Sequence, residues 1–403
     1  MKSKTFIVLL VVCAVLGGIT YWQFNKENGG AARDVAMGEE LLGDLSVNDI
    51  AAVRISGPEN SAALKKETVW EVENRFGYPA DFSQITDLVK KLRSVTVGRS
   101  FKANDDARSR LALHLPDKDG VDDEARGTRI VLENADGKTL ADVLVGDPRE
   151  ADAGTGGHYL MLPPGDTVYL VDKSFSRLET EPREWLVKEL VDAASADVRE
   201  VKYRAADGGE SVYTLTRPGK GQDPAFQDRP DGFVDREIKK SEINALFGAL
   251  SGFQIEDVAD PADKPAEETF DHVFDYRLFD GTEYTVTLGG GVSDAEDQYY
   301  VKVRAGYAAP PEEATETEET PEEAEGDDPE ARKKAAEEKK KAAEERRQKQ
   351  AELKEKALEL DEKLQSWTYI VPEWRYNKFK TDVEALFEEP PAAEEESGAG
   401  VEN

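Results

Sequence analysis

Phe279-Asp280-Gly281-Thr282 repeats the pattern of Ala135-Asp136-Gly137-Lys138 at an interval of 144 positions, and Gly290 repeats Gly146 at the same interval. Each quartet reads as a hairpin turn, with glycine supplying the positive φ that such turns need. In the first copy the turn joins Arg129, Ile130, Val131 and Leu132 to the run from Leu140 to Val145; in the second it follows the run from Val273 to Phe279. Working outward, the strand-like Ile50, Val53 and Ile55 return as Val198, Val201 and Tyr203. A helical stripe of Phe82, Ile85, Leu88, Val89 and Leu92, started by Asp81 or Ser83, returns as Ser241 to Leu250. The pair His158-Tyr159 returns as Tyr299-Tyr300 after 141 positions, whereas Val168-Tyr169-Leu170-Val171 returns as Thr368-Tyr369-Ile370-Val371 only after 200. The jump measures an insertion into one hairpin loop.

These matches predict an α+β protein: an N-terminal transmembrane helix, then two tandem repeats of a mainly antiparallel sheet with a packed helix, the second carrying a long charged helix. The expected layout is an anchor over 1–24, a linker over 25–46, a first repeat over 47–190 and a second over 197–387. The insertion occupies 305–364, and an acidic tail expected to be disordered fills 388–403. From Glu312 to Asp328 there are ten acids and no base, a composition that resists folding by self-repulsion. Asp328-Pro329 then opens a helix built of Ala, Glu, Lys and Arg. Its weak seam of Leu353, Ala357, Leu360 and Leu364 predicts a solvated charged helix over a stable coiled coil, and the whole insertion reads as a removable excursion.

With 84 acids against 52 bases, a net charge of −32 and a pI near 4.6, the chain repels phosphate backbones, so nucleic acid is excluded as a partner. Lys2 and Lys4 precede an apolar run from Phe6 to Phe24. The run is long enough to cross a bilayer once, and the basic flank predicts a cytoplasmic N-terminus with everything after residue 25 outside, at the cytoplasmic membrane. A cleaved signal peptide is the alternative. The lone Cys13 forms no internal disulfide.

The chemistry is sparse. No phosphate loop, nucleophile elbow, zinc pair or dinucleotide fingerprint occurs at a strand-helix junction. Gly154 to Gly157 and Gly289 to Gly291 lie between strands, and Asp117 to Glu124 lacks the ligand spacing of a calcium loop. The three histidines, His114, His158 and His272, are too scattered for a histidine-based metal site. His158 and His114 read as structural, and Trp70, Trp185, Trp367 and Trp374 as core anchors. The expectation is no catalytic residue, no cofactor-binding residue and no metal ligand.

The Lys2-Ser3-Lys4 start, Val69-Trp70-Glu71-Val72, Tyr78-Pro79-Ala80-Asp81 before the Ile85, Leu88, Val89 and Leu92 stripe, Val145-Gly146, and Val168-Tyr169-Leu170-Val171 together resemble the bacterial family grouped as domain of unknown function 4340. That resemblance implies a single-pass envelope protein associated with ABC-type transport systems of the kind linked to gliding machinery. It carries no catalytic residues. The expected function is a membrane-anchored extracytoplasmic scaffold or accessory subunit of such a complex, with an ABC-type permease as partner and the oligomeric state open. The competing reading is a small-ligand receptor or hydrolase with a site between the repeats.

Overall fold

The computed structural model describes residues 35–149, 156–206, 208–262, 265, 269–293, 295–310 and 329–388. The chain divides into two compact units, Met1–Val187 and Lys188–Asn403.

The first unit contains β1 (Ile50–Ser56), β2 (Ser61–Lys66), β3 (Trp70–Val72), β4 (Tyr78–Pro79), β5 (Val97–Lys102), β6 (Thr128–Asn134), β7 (Thr139–Pro148), β8 (His158–Met161) and β9 (Thr167–Val171). They form one sheet in the order β4-β3-β2-β1-β6-β7-β8-β9-β5, every pairing antiparallel. The helix Phe82–Arg93 buries Ile85, Leu88, Val89 and Leu92. The Asp81 carboxylate caps it by accepting from the Ser83 and Gln84 amides, and Lys90, Lys91 and Arg93 complement its C-terminal dipole. Phe82, expected in the buried stripe, is 62% exposed, because it lies one residue after the cap, where the helix has not yet turned its face to the sheet.

The second unit contains β10 (Glu189–Val191), β11 (Val198–Ala205), β12 (Ser211–Thr216), β13 (Ala225–Asp228), β14 (Phe253–Gln254), β15 (Asp257–Val258), β16 (His272–Leu278), β17 (Thr282–Gly291), β18 (Gln298–Tyr307) and β19 (Tyr369–Pro372). Its main sheet runs β13-β12-β11-β16-β17-β18-β19-β15, with β10 and β14 paired apart. Element for element, this is the strand order of the first sheet without a counterpart of β4.

The likeness extends to register. Ile55 faces Ile130 across β1 and β6, and Tyr203 faces Phe274 across β11 and β16. Both strand pairs carry a bulge at the same place, between Ile50 and Ala52 and between Val198 and Glu200. The extra residue explains why apolar side chains three apart, Ile50 and Val53 or Val198 and Val201, all point inward. Gly137 and Gly281 both take positive φ in their turns. Tyr169 faces Leu160, Tyr369 faces Val301, and both tyrosines are buried. Each unit also closes with one clamp: the Asp81 amide donates to the Trp185 carbonyl, as the Lys239 amide does to that of Leu386.

The expected α+β class, opened by a transmembrane helix, is corrected. The described structure is mostly β-sheet, with five α-helices, four of them of 12 residues or fewer. No described helix is long and apolar enough to cross a membrane, and the expected span over 1–24 lies outside the described residues. The imbalance toward helix arose because β2 (SAALKK) and β5 (VGRSFK) put Ala, Gly and Ser where apolar alternation would mark a strand. The acidic stretch from Glu312 to Asp328 and the tail after Glu388 also lie outside the described residues. Two further boundaries move. Residues 38–41, expected in the linker, pair with Val95 and Val97, and Leu41 and Leu45 are buried. The helix Pro329–Leu364 is not wholly an excursion. Ala357 and Leu364 are buried, and the Asp361 carboxylate accepts two hydrogen bonds from the Arg304 guanidinium at 2.7 Å and one from the Ala305 amide. Leu353, Ala357, Leu360 and Leu364 therefore form a docking stripe, while positions 337–349 are exposed throughout.

Candidate functional site

The three histidines occupy three different hydrogen-bonded settings. In the first unit His114 is 3% exposed, with Lys118 Nζ 2.9 Å from Nδ1 and Ser109 Oγ 2.9 Å from Nε2. A lysine ammonium can only donate, so Nδ1 is the acceptor and Nε2 carries the proton. The imidazole therefore donates to Ser109, whose hydroxyl donates onward to the Asp105 carbonyl. This serine-histidine contact runs opposite to that of a nucleophile and its base, which needs an unprotonated nitrogen facing the hydroxyl. Burial and then Lys118 hold the His114 pKa below its usual value. His158 is also 3% exposed, and its Nδ1 accepts from the Phe175 amide. Burial lowers its pKa, against the pull of Asp147.

The second unit assembles a richer cluster at one end of its sheet. His272 opens β16, beside the end of β11, the end of β17 and the start of β18. The Tyr203 hydroxyl lies 2.7 Å from His272 Nδ1, and His272 Nε2 lies 3.4 Å from an Asp271 carboxylate oxygen. Tyr299, on β18, stacks on Tyr376 with ring centroids 4.2 Å apart. Tyr376 lies in the short helix Glu373–Tyr376 that follows β19. Burial pushes the Tyr376 phenol up to about 12, with Asp271, Tyr299 and Tyr203 adding to the rise. Burial, then Asp271, also raises Tyr203. Tyr203, His272 and Asp271 thus form one contact chain and Tyr299 and Tyr376 a stacked pair, and His272 and Asp271 remain partly open, with side chains 31% and 66% exposed.

Behind this cluster the core is aromatic. Tyr203 stacks on Phe274 at 4.7 Å and meets Tyr213 at 5.3 Å. The buried hydroxyls find carbonyls: Tyr213 donates to Lys380 and Tyr276 to Leu246. Of the tryptophans expected in cores, Trp70 and Trp185 are buried, but Trp374 is 58% exposed, with Arg375 and Lys378 against its ring. The stretch from Asp117 to Glu124 lies at the surface of the first unit and is mostly exposed. Among the described residues no three His, Cys, Asp or Glu side chains converge as a metal site.

Sequence reasoning, which weighed histidines and cysteines, missed the phenol cluster. Its members come from four separate segments, so no local spacing reveals it. The available signal was distribution: nine of the 13 tyrosines follow Lys188.

A family profile described as domain of unknown function (DUF4340) matches residues 70–273, half of the chain. No curated protein and no solved structure matches it.

Proposed function

The chain belongs to the DUF4340 family, and from that premise we propose that it is a non-catalytic accessory subunit of an envelope transport complex, acting outside the cytoplasm at the cytoplasmic membrane. The observation that carries the non-catalytic part is the direction of the His114 hydrogen bonds: Ser109, beside that imidazole, receives its proton instead of giving one up. The other buried imidazole, His158, is held by a backbone amide. The envelope location rests on sequence, through Lys2, Lys4 and the apolar run that follows. The transport association rests on the family resemblance, with an ABC-type permease as the expected partner.

Affinity purification of the intact, detergent-solubilised protein tests this reading. Recovery of an ABC-type permease in stoichiometric amount supports it. Recovery of the chain alone with a bound metabolite that it turns over contradicts it and favours the receptor or hydrolase reading.

A further inference from the structure

In the first unit a cleft of about 870 Å³ opens between the last turn of the Phe82–Arg93 helix and the segment that leads into β1. Its helix wall carries the bases Lys90 and Arg93, and its other wall the acids Glu40, Asp44 and Asp49. Opposite charges that share a small cleft tend to pair. Here the Lys90, Arg93, Glu40 and Asp49 side chains have no ion-pair or hydrogen-bond partner among the described residues. Both signs are thus held apart around one cavity, each free to meet a ligand group.

The second unit supplies the contrast. Its turn Ser195–Asp197 before β11 matches Val47–Asp49 before β1. Aligning Ile243, Leu246 and Phe247 on Ile85, Leu88 and Val89 puts Gly248 in the place of Lys90 and Ser251 in that of Arg93. There the helix end closes on the turn. A Cβ on Gly248 would lie 3.9 Å from the Ser195 Cβ, and the buried Arg217 guanidinium, 4.8 Å from the Phe247 ring centroid, donates to the Ser195 carbonyl. The first unit has two bases where the second has glycine and serine.

We propose that the first-unit cleft binds a short peptide with free ends, its carboxylate on Lys90 and Arg93 and its ammonium group on Glu40 and Asp49. Lys90 and Arg93 lie three apart on the helix and so share a face, where both can donate to one carboxylate. The three acids outnumber the two bases, which turns away a purely anionic ligand such as inorganic phosphate. The volume lies within the range of ligand pockets, about 300–1,000 Å³, and exceeds what one amino acid fills. This goes beyond the accessory role proposed above, which needs no small ligand.

Isothermal titration calorimetry of the purified full chain with trialanine tests the site. Saturable binding at one peptide per chain is expected, with none for N-acetyl-trialanine amide, whose ends are uncharged. Lys90→Gln/Arg93→Gln should weaken binding about fivefold or more, as should Glu40→Gln/Asp49→Asn. Lys91→Gln, on the same turn but set against the Phe175 ring, should leave it unchanged. Far-UV circular dichroism checks that each variant is folded. Absence of trialanine binding to the folded wild-type chain overturns the proposal, as does equal binding of the blocked peptide or undiminished binding in either folded double variant. Tighter binding of alanine or of glycerophosphoethanolamine than of trialanine overturns the assignment to a peptide in favour of an amino acid or a lipid headgroup. Because the titration needs no partner, it stands or falls separately from permease recovery.

Discussion

The two units share a strand order, a bulge and a register, yet they fill equivalent positions with different chemistry. Where the first sheet places Ile55 against Ile130 and Ala62, the second places Tyr203 against Phe274 and Tyr213. Aliphatic packing closes a core and asks for nothing more. Aromatic packing with phenols buries more area per residue, but a buried hydroxyl then needs a partner, and the second unit supplies one to Tyr213, Tyr276 and Tyr203 through the Lys380 and Leu246 carbonyls and His272, while the buried Tyr307 hydroxyl has none among the described residues. The hairpin from β8 to β9 turns through Leu162 to Asp166, whereas the one from β18 to β19 carries the Pro329–Leu364 helix and docks its last turns through Asp361. A duplicated framework thus keeps its backbone pairing while the second copy takes on polar and accessory features.

The sharpest way to break this comparison is Gly157. A Cβ there would lie 1.8 Å from the Val171 carbonyl oxygen, whereas the second unit carries Gln298 at the matching start of β18. Gly157→Ala should cost about 4 kcal/mol or more and remove the first unit's unfolding transition, while Gln298→Ala leaves the second within about 0.5 kcal/mol. Denaturant melts read by tryptophan fluorescence separate the two outcomes. Next comes the docked helix. Leu364→Ala should cost about 2–4 kcal/mol, as expected for a buried leucine. Deleting 337–350, two heptads of the exposed stretch, should change stability by no more than about 0.5 kcal/mol. Equal losses in both would mean that the whole helix packs.

The Asp361 clamp gives a smaller, pH-dependent effect. The Arg304 hydrogen bonds hold the Asp361 carboxyl below its usual pKa. Its contribution is therefore present above the unfolded value of about 3.9 and is lost as pH falls through the lower folded value. Because Arg304 is 55% exposed, the clamp is worth about 1 kcal/mol. Asp361→Asn should remove that amount at pH 7 and flatten the acid limb of the stability profile; an unchanged limb would show that other carboxylates control it. Tyr276→Phe tests the aromatic core, leaving the Leu246 carbonyl without its phenol at a cost of about 1 kcal/mol.

Much of the framework is legible in the sequence. The Asp-Gly turns, the Asp81 cap and the spacing of Ile50, Val53 and Ile55 each follow from a local rule. β5 is not legible, because Val97 is its one buried residue and Gly98, Arg99 and Ser100 face solvent. Nor is the docking of Leu364, since Ala, Glu and Lys describe a solvated helix until β18 supplies a surface for its last turns. The phenol contacts escape for a topological reason: Tyr203 meets His272, and Tyr299 meets Tyr376, only once separate segments have been brought to one end of the sheet.

Cross-strand cysteine pairs test the shared register most directly, because the only native cysteine is Cys13. Arg54 faces Ala63 in the first unit, and Lys202 faces Thr214 at the matching place in the second. Directly opposed residues lie within disulfide reach. Arg54→Cys/Ala63→Cys and Lys202→Cys/Thr214→Cys should both oxidise readily, whereas Arg54→Cys/Lys65→Cys and Lys202→Cys/Thr216→Cys, two residues out of register, should not. Ready oxidation of a shifted pair in either unit would contradict a register held in common.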